Sequence, residues 1–267
     1  MPSRFTAESL TTNDTSHWLD DSEQVERRPG MGWTSRAFAG FIDIFFPPAC
    51  AACGAVTSGP ESFCLGCELD LERLPEQHCL RCSEPGSFER GHCPRCELRP
   101  PPFARAFAPF LHQGPIARAI HQFKYEDHPE LAPTLAALLA REARAFIDAA
   151  PGILCAIPLH RNRLRRRQYD QAQLLVQQLA HQTRRTAGDC LRRIRNTRRQ
   201  VGLTETQREQ NVAGCFEACG DWSGKSVLLL DDVFTTGATA RTAASVLRAA
   251  GAAEIQVLAI ARAFSQT

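Results

Sequence analysis

The sequence predicts an α/β protein in which a parallel sheet with flanking helices is preceded by a small cysteine-rich module. Four Cys-x-x-Cys pairs are confined to residues 50–96. Stretches of helical periodicity separate the apolar runs that follow, and strands that alternate with helices imply parallel pairing with right-handed crossovers. The apolar runs suited to buried strands lie at residues 106–111, 153–157, 227–230 and 255–260.

Three parts are expected along the chain. Residues 1–35 are polar, mixed in charge and without periodicity, which is typical of a disordered tail. The cysteine-rich module covers residues 36–98 and begins with an apolar run, 36–46, which we interpret as a short helix or lead-in strand packed on the main domain. The stiff sequence Arg99-Pro100-Pro101-Pro102 then links the module to the α/β domain, residues 103–267.

Helices are predicted between the strands from their start signals and their periodicity. Pro115 stands at a favoured first position of a helix, with apolar residues at helical spacing behind it. A longer helix follows Pro129, and another covers residues 169–184. The last helix, residues 239–250, is rich in alanine and is closed by Gly251.

The basic residues are unevenly placed, although the net formal charge is only +2. Between Cys155 and Val212 there are thirteen Arg and four acidic residues, a density that predicts an anionic partner such as phosphate or nucleic acid. No run of about 18 apolar residues is present and the N-terminus lacks the apolar core of a signal peptide, so we expect neither a membrane span nor export. The expected location is the cytoplasm, where thiols stay reduced.

Eight of the twelve cysteines form two repeats of one spacing, in which ten residues separate two Cys-x-x-Cys pairs. One pair lets two thiolates bind an ion from a tight turn, and two pairs complete a tetrahedron. In a cytoplasmic chain this pattern favours metal over disulfides. We expect structural zinc, as one ion or two, and both sequential and interleaved pairing of the repeats fit the spacing. The predicted ligands are Cys50, Cys53, Cys64, Cys67, Cys79, Cys82, Cys93 and Cys96.

Other potential ligands are assigned a structural role. His78 and His92 each adjoin a predicted ligand and could replace one, although a solvated loop histidine is the interpretation we favour. The remaining thiols show no ligand spacing and are predicted to be small, buried apolar residues. They are Cys155, Cys190, Cys215 and Cys219.

The stretch from Asp231 to Thr239 combines two carboxylates with a loop suited to an anion. Gly237 lets the backbone turn so that successive N–H groups point inward, and the start of the following helix adds unpaired N–H donors. With hydroxyls from three threonines, residues 235–239 are predicted to bind a phosphate monoester. Capping explains one threonine but not two carboxylates at the end of a buried strand, where unpaired charge is costly. Ribose hydroxyls, or Mg²⁺ bridged to them, would satisfy both carboxylates.

This stretch resembles the ribose-phosphate fingerprint of class I phosphoribosyltransferases, which bind phosphoribosyl pyrophosphate (PRPP). Together with the cysteine-rich front, residues 37–263 are similar to the ComF family, the ComFC and GntX-like proteins linked to the use of external DNA. The family usually has Arg-Gly-Phe-Asn-Gln where this chain has Arg-Gln-Tyr-Asp-Gln at residues 167–171. The other motifs that carry the resemblance are Pro47-Pro48-x-Cys50-x-x-Cys53, Phe123-Lys124-Tyr125, Ile157-Pro158-Leu159-His160 running to Gln171-Ala172, and Thr197-x-x-Gln200-x-x-Leu203 leading to Arg208 and Asn211.

The resemblance implies a class I phosphoribosyltransferase-like sheet and Mg²⁺-dependent chemistry on PRPP. Asp231 and Asp232 would be the catalytic pair that holds the ribose hydroxyls, directly or through Mg²⁺. The 5′-phosphate would be bound by Thr235, Thr236, Gly237, Ala238 and Thr239. The pyrophosphate needs cations, for which the candidates are Lys124, His160, Arg161, Arg163, Arg166 and Arg167.

Two functions fit these features. The first is a phosphoribosyltransferase whose acceptor the sequence does not name. The second is a non-catalytic adaptor of the DNA-uptake machinery that binds PRPP, nucleic acid or protein, with single-stranded DNA or a helicase-like protein as its partner. Arg-rich stretches at residues 161–167 and 192–199 would give such binding a steep salt dependence. Stacking aromatics are scarce, which disfavours a dedicated single-strand platform.

Overall fold

The structure is a computed structural model that describes residues 48–57, 59, 63–160, 169–195 and 204–264. Pro47–Thr267 forms one compact unit. The predicted tail, the apolar run 36–46 and the Arg-rich stretch 161–167 lie outside the described residues. The division of the chain into the three parts given above stays a prediction.

Eight helices and seven strands are assigned within the described residues. The helices are α1 (Leu65–Leu69), α2 (Pro94–Leu98), α3 (Gly114–Tyr125), α4 (Leu131–Glu142), α5 (Arg144–Ala149), α6 (Gln171–Thr183), α7 (Glu205–Val212) and α8 (Ala238–Ala249). The strands are β1 (Arg105–Phe107), β2 (Phe110–Leu111), β3 (Ile153–Ala156), β4 (Leu191–Arg193), β5 (Phe216–Ala218), β6 (Ser226–Phe234) and β7 (Glu254–Arg262). None of these helices combines the length and apolar character needed to cross a bilayer.

Five strands form one parallel sheet in the order β1–β7–β6–β3, with β2 also paired to β7. The register sets Leu230 of β6 opposite Leu258 of β7, and Leu154 of β3 opposite Leu228 of β6. The predicted parallel sheet with flanking helices is therefore confirmed. A second sheet, the antiparallel pair β4–β5, was not predicted, because its three-residue strands are too short to show periodicity.

Two predicted elements are divided in the structure. The strand expected over residues 106–111 becomes β1 and β2, because Pro109 between them has no N–H to offer a neighbouring strand. The helix expected after Pro129 becomes α4 and α5, which meet at Ala143, where φ is −103° and ψ is 16°.

The central strand β6 is longer than predicted. The apolar run 227–230 was expected to end the strand, but β6 continues through Asp231 and Asp232 to Phe234. Pairing with β7 carries the strand onward, since Asp231 lies opposite Ala259 and Phe234 lies opposite Arg262. The two carboxylates therefore lie near the end of strand β6 rather than in a loop.

Side chains of β6 alternate between two separate cores, one on each face of the sheet. Leu228 and Leu230 pack with buried residues of α3, α4 and α6. Val227 and Leu229 pack with buried residues of α8 and of the β4–β5 pair. Strands buried on both faces read as continuous apolar runs, which is why the run 227–230 could be recognised in the sequence.

The cysteine-rich module spans one edge of the sheet and joins both cores. We call Cys50, Cys53, Cys64 and Cys67 the first cysteine group, and Cys79, Cys82, Cys93 and Cys96 the second. Buried members of the first group belong to the core with α3 and α4, whereas the second group belongs to the core with α8. The chain between the groups runs along the edge, where the amide of Leu74 donates to Pro109 O at 2.7 Å and the amide of Leu111 donates to Glu72 O at 2.8 Å.

A glycine before β3 makes the tightest backbone approach to the central strand. Gly152 has φ of +85°, and a Cβ there would lie 1.8 Å from the carbonyl oxygen of Ser226. We predict that Gly152→Ala lowers the free energy of unfolding in urea by roughly 3 kcal/mol or more. The matched control is Gly214→Ala, with φ of +62° and open space around it. That change meets only the left-handed penalty of about 1–2 kcal/mol, so equal losses in the two variants would contradict the packing described here.

Candidate functional site

Each cysteine group has the geometry of a four-thiolate metal site. Within each group all four Sγ atoms lie within 4.8 Å of one another. The Sγ atoms of Cys53 and Cys64 are 3.6 Å apart, as are those of Cys82 and Cys93. Tetrahedral zinc with Zn–S bonds of about 2.3 Å requires S–S separations of about 3.8 Å. The residues therefore fit zinc, and the pairing is sequential rather than interleaved.

The two groups differ in exposure, and neither includes a histidine. All four thiols of the second group are buried, whereas Cys53 of the first group is exposed and Cys64 is half-buried. His78 forms a 2.8 Å hydrogen bond from Nδ1 to the carbonyl oxygen of Pro75. Of the four thiols predicted to be buried apolar residues, three are buried and Cys219 is half-buried.

The Thr-rich loop, residues 235–239, connects β6 to α8 through a left-handed turn at Gly237. Gly237 has φ of +76°, and a Cβ there would lie 2.6 Å from Cζ of Phe234. The amide of Ala238, the first residue of α8, donates to Oγ1 of Thr236 at 3.4 Å. Glycine is therefore required both by the backbone conformation and by the packed ring beneath it.

Three amide groups of this loop are open. In the part of the chain that the structure describes, none of the hydrogen bonds is donated by the amides of Thr235, Thr236 or Gly237. Gly237 and Ala238 are buried, and the threonines of the loop are half-buried. Backbone N–H groups that are sheltered and unpaired at the start of a helix form an anion-binding cradle.

The two carboxylates of β6 lie directly before this loop. Oδ1 of Asp231 accepts from the amide of Asp232 at 2.9 Å, and Oδ1 of Asp232 accepts from the amide of Val233 at 2.6 Å. Nζ of Lys124, near the end of α3, lies 2.7 Å from Oδ1 of Asp232. Burial, and after it the charge of Asp232, raise the pKa of Asp231 to about 7, although the charge of Lys124 acts in the opposite direction.

Lys124 was predicted to be a cation of the site, and it lies at the carboxylates. His112 is close to the same pair, since burial and then the charge of Lys124 lower the pKa of the imidazole. The backbone amide of His112 donates to Arg262 O at 2.9 Å, which ties it to the end of β7. His112 was not predicted, and its position in a short loop after β2 carries no sequence signal.

The segment after β3 contains the remaining predicted cations. His160 is half-buried, and Arg161, Arg163, Arg166 and Arg167 lie outside the described residues. Asp170, where the family usually has Asn, caps α6: its carboxylate accepts from the amide of Gln173 at 3.2 Å and from the amide of Leu159 at 2.9 Å. Burial raises the pKa of Asp170 even though these hydrogen bonds oppose the shift.

One arginine of the predicted Arg-rich stretch 192–199, Arg193 on β4, is buried and is therefore not available to bind nucleic acid. Nη1 of Arg193 donates to Pro158 O at 3.4 Å, and its guanidinium lies 5.2 Å from the ring centre of Phe216. Burial lowers its pKa, and the charge of Asp231 acts in the opposite direction. Alternation along β4 is the signal that could have found it, because Leu191 and Arg193 share the buried face while Arg192 pairs with Glu217 outside.

Comparisons with known proteins agree with this arrangement. A family model described as "Double zinc ribbon domain" matches residues 41–97. Competence protein F of Haemophilus influenzae is 30% identical over 228 residues, which cover 82% of this chain and 99% of that protein. The chain belongs to the ComF family. Another relative of this ComF-family protein is the DNA utilization protein YhgH of Salmonella typhimurium, 32% identical over 190 residues that cover 69% of this chain and 83% of YhgH.

Among solved structures, the glutamine PRPP amidotransferase of B. subtilis complexed with ADP and GMP matches 52% of the ComF-family chain and 30% of its own. The sequence identity is 22% and the TM-score is 0.37.

The metal content of the ComF-family protein follows from its two cysteine groups. We predict about two zinc ions per chain by elemental analysis of protein purified under reducing conditions. A chelator should remove one ion faster, because the first group exposes Cys53 whereas the second is buried throughout. Cys53→Ser should lower the content towards one ion, and Cys219→Ser, outside both groups, should leave two. Zinc-free wild-type protein, or release of both ions at one rate, would contradict these assignments.

Proposed function

We propose that this protein binds PRPP with Mg²⁺ and transfers its phosphoribosyl group to an acceptor, in the cytoplasm and in the service of DNA uptake or utilisation. One observation carries the proposal: two carboxylates near the end of the central strand precede a helix-start loop in which the amides of Thr235, Thr236 and Gly237 are open among the described residues. An anion cradle beside two acidic side chains suits a ligand that has both a phosphate and vicinal hydroxyls.

The Thr-rich loop supplies the donors for the 5′-phosphate. Open amides at Thr235, Thr236 and Gly237 and the positive end of α8 favour a dianion. The hydroxyls of Thr235, Thr236 and Thr239 add donors that rotate to suit the phosphate oxygens. A terminal phosphate group held here leaves the ribose directed towards the two carboxylates.

Asp231 and Asp232 are proposed to hold the ribose hydroxyls and the metal. Hard carboxylate oxygens are the ligands that Mg²⁺ prefers, and the two adjacent residues offer four. When bound, Mg²⁺ would neutralise the charge of the departing pyrophosphate. Lys124 pairs with Asp232 at 2.7 Å, which brings a cation to the same side of the site.

The pyrophosphate is assigned to the cations that the sequence predicted for it. Lys124 and His160 are proposed for it, as are the candidates outside the described residues: Arg161, Arg163, Arg166 and Arg167. Asp170 supports this assignment by accepting from the amide of Leu159, which fixes where the arginine-rich stretch begins.

A second candidate is an adaptor that binds PRPP without transferring its sugar. The printed names of the relatives, which speak of competence and DNA utilization, favour a role in handling DNA. Single-stranded DNA or a helicase-like protein would then be the partner of the arginine-rich stretches. Release of pyrophosphate from PRPP across a panel of bases and amines separates the two candidates, because only the enzyme releases it in an acceptor-dependent manner.

Isothermal titration with PRPP and Mg²⁺ tests the ligand. We predict binding by the wild type and an affinity at least tenfold lower in Asp231→Asn and in Asp232→Asn, since each change removes a charged ligand at constant shape. Asp221→Asn is the matched control, because Asp221 is an exposed carboxylate whose hydrogen bonds go to Ser223. Absence of binding by the wild type, or unchanged binding by Asp231→Asn, would refute the proposal.

The pH dependence of binding tests the part assigned to Asp231. With a pKa of about 7, its carboxyl is mostly protonated at pH 6 and mostly ionised at pH 8. Since Mg²⁺ needs the ionised form, the affinity for PRPP with Mg²⁺ should rise roughly tenfold over this interval. Inorganic phosphate without metal is the control, because it has no ribose hydroxyls for Asp231 to hold and reports only the titration of the phosphate and its cradle. Identical pH profiles for the two ligands would show that ionisation of Asp231 has no role in binding PRPP with Mg²⁺.

A further inference from the structure

The Thr-rich loop is supported from behind by the second cysteine group. Arg95 stands next to Cys96 on the short helix α2, and its Nη1 donates to the carbonyl oxygen of Thr236 at 2.9 Å. The guanidinium is about one-third exposed, at 32%. A side chain of the metal-binding module therefore contacts the backbone of the loop directly.

A buried ion pair makes the second connection between the module and the loop. Arg262, at the end of β7 and 1% exposed, donates to the carbonyl oxygens of Phe234, at 2.9 Å, and of Thr235. Its other terminal nitrogen donates to Glu84, which lies two residues after Cys82. Glu84 is also 3.9 Å from Nη2 of Arg95, so one carboxylate holds both arginines. Charge-assisted hydrogen bonds of this kind are stronger than neutral ones.

These contacts determine the direction of the open amides. All described peptide bonds are trans, so each carbonyl points away from the N–H of the next residue in the same plane. The bond from Arg262 to Thr235 O thus directs the amide of Thr236 to the opposite side of the loop. The bond from Arg95 to Thr236 O does the same for the amide of Gly237.

We propose that the second cysteine group is a positioning element of the phosphate site, and that metal bound there sets the affinity of the Thr-rich loop for phosphate through Arg95 and Glu84. This rests on the proposed function, in which the loop binds the 5′-phosphate. Metal at Cys93 and Cys96 fixes α2 on both sides of Arg95, and Cys82 fixes the chain before Glu84.

The first cysteine group serves as an internal reference, because it contacts the other face of the sheet. There Nε of Arg118 on α3 donates to Ala52 O at 3.3 Å. Within the described residues, the hydrogen bonds made by the two Cys-x-x-Cys segments of the first group do not reach the Thr-rich loop. Metal binding in the first group is therefore expected to leave phosphate affinity unchanged.

The experiment compares Arg95→Met with Arg118→Met. Each change removes one arginine-to-carbonyl bond between the module and the sheet domain, but only the first bond ends on the loop. Two quantities are measured: the dissociation constant of ribose 5-phosphate, and the backbone order parameters of Thr236 and Gly237 from ¹⁵N relaxation of ligand-free protein. Zinc content is measured in parallel to verify that both variants keep their metal.

Arg95→Met is expected to weaken ribose 5-phosphate binding about tenfold and to lower the order parameters of Thr236 and Gly237 from about 0.85 towards 0.6. Arg118→Met should change neither quantity. Should Arg95→Met fold poorly, Arg95→Lys supplies the same test, because lysine keeps the charge but cannot bind Thr236 O and Glu84 with one planar fork.

Wild-type order parameters and affinity in Arg95→Met, or equal losses in Arg118→Met, would overturn the inference. Failure of the wild type to bind ribose 5-phosphate would instead refute the proposed function, since the order parameters are measured without ligand. Cys93→Ser provides the metal arm of the test: it should lower the same order parameters, whereas Cys53→Ser should not.

Discussion

Parallel pairing of β6 on both of its edges is the constraint on which the rest of the structure depends. Between β3 and β7 the strand is buried on both faces over residues 227–230, which are apolar throughout. Pairing with β7 then carries it past Leu230 and brings Asp231 and Asp232 to the carboxyl edge of the sheet. Open α/β sheets bind ligands at this edge. The turn at Gly237 and the start of α8 follow at once, so the carboxylates and the open amides lie close together at this edge.

The cysteine-rich module completes this arrangement rather than standing apart from it. Each cysteine group joins one of the two cores, and the chain between them covers the edge formed by β1 and β2. Exposed strand edges invite pairing with other chains, so covering this one protects the sheet. The group on the α8 face also reaches the Thr-rich loop through Arg95, which gives metal binding a physical route to the proposed phosphate site.

Much of this could be read from the sequence, where the signal is local. Cysteine spacing identified eight ligands but not their pairing, because sequential and interleaved sites have the same spacing; the two faces of the sheet separate the groups. The Thr-rich loop was recognisable because the two carboxylates of β6 and Gly237 lie close together in the sequence. The arginine contacts that hold the loop could not be recognised, because their partners are distant in sequence. Arg95 lies 141 residues from Thr236, and Arg262 lies 178 residues from Glu84. A buried Arg193 was likewise hidden within a three-residue strand.

The central claim is that the carboxylates of β6 and the Thr-rich loop bind two parts of one ligand. A crystal structure of the protein with PRPP and Mg²⁺ tests it most directly. We predict that the 5′-phosphate oxygens lie about 3 Å from the amide nitrogens of Thr236 and Gly237, and that the ribose hydroxyls or the metal lie at Asp231 and Asp232. PRPP bound elsewhere, without contact to these amides and carboxylates, would contradict this claim.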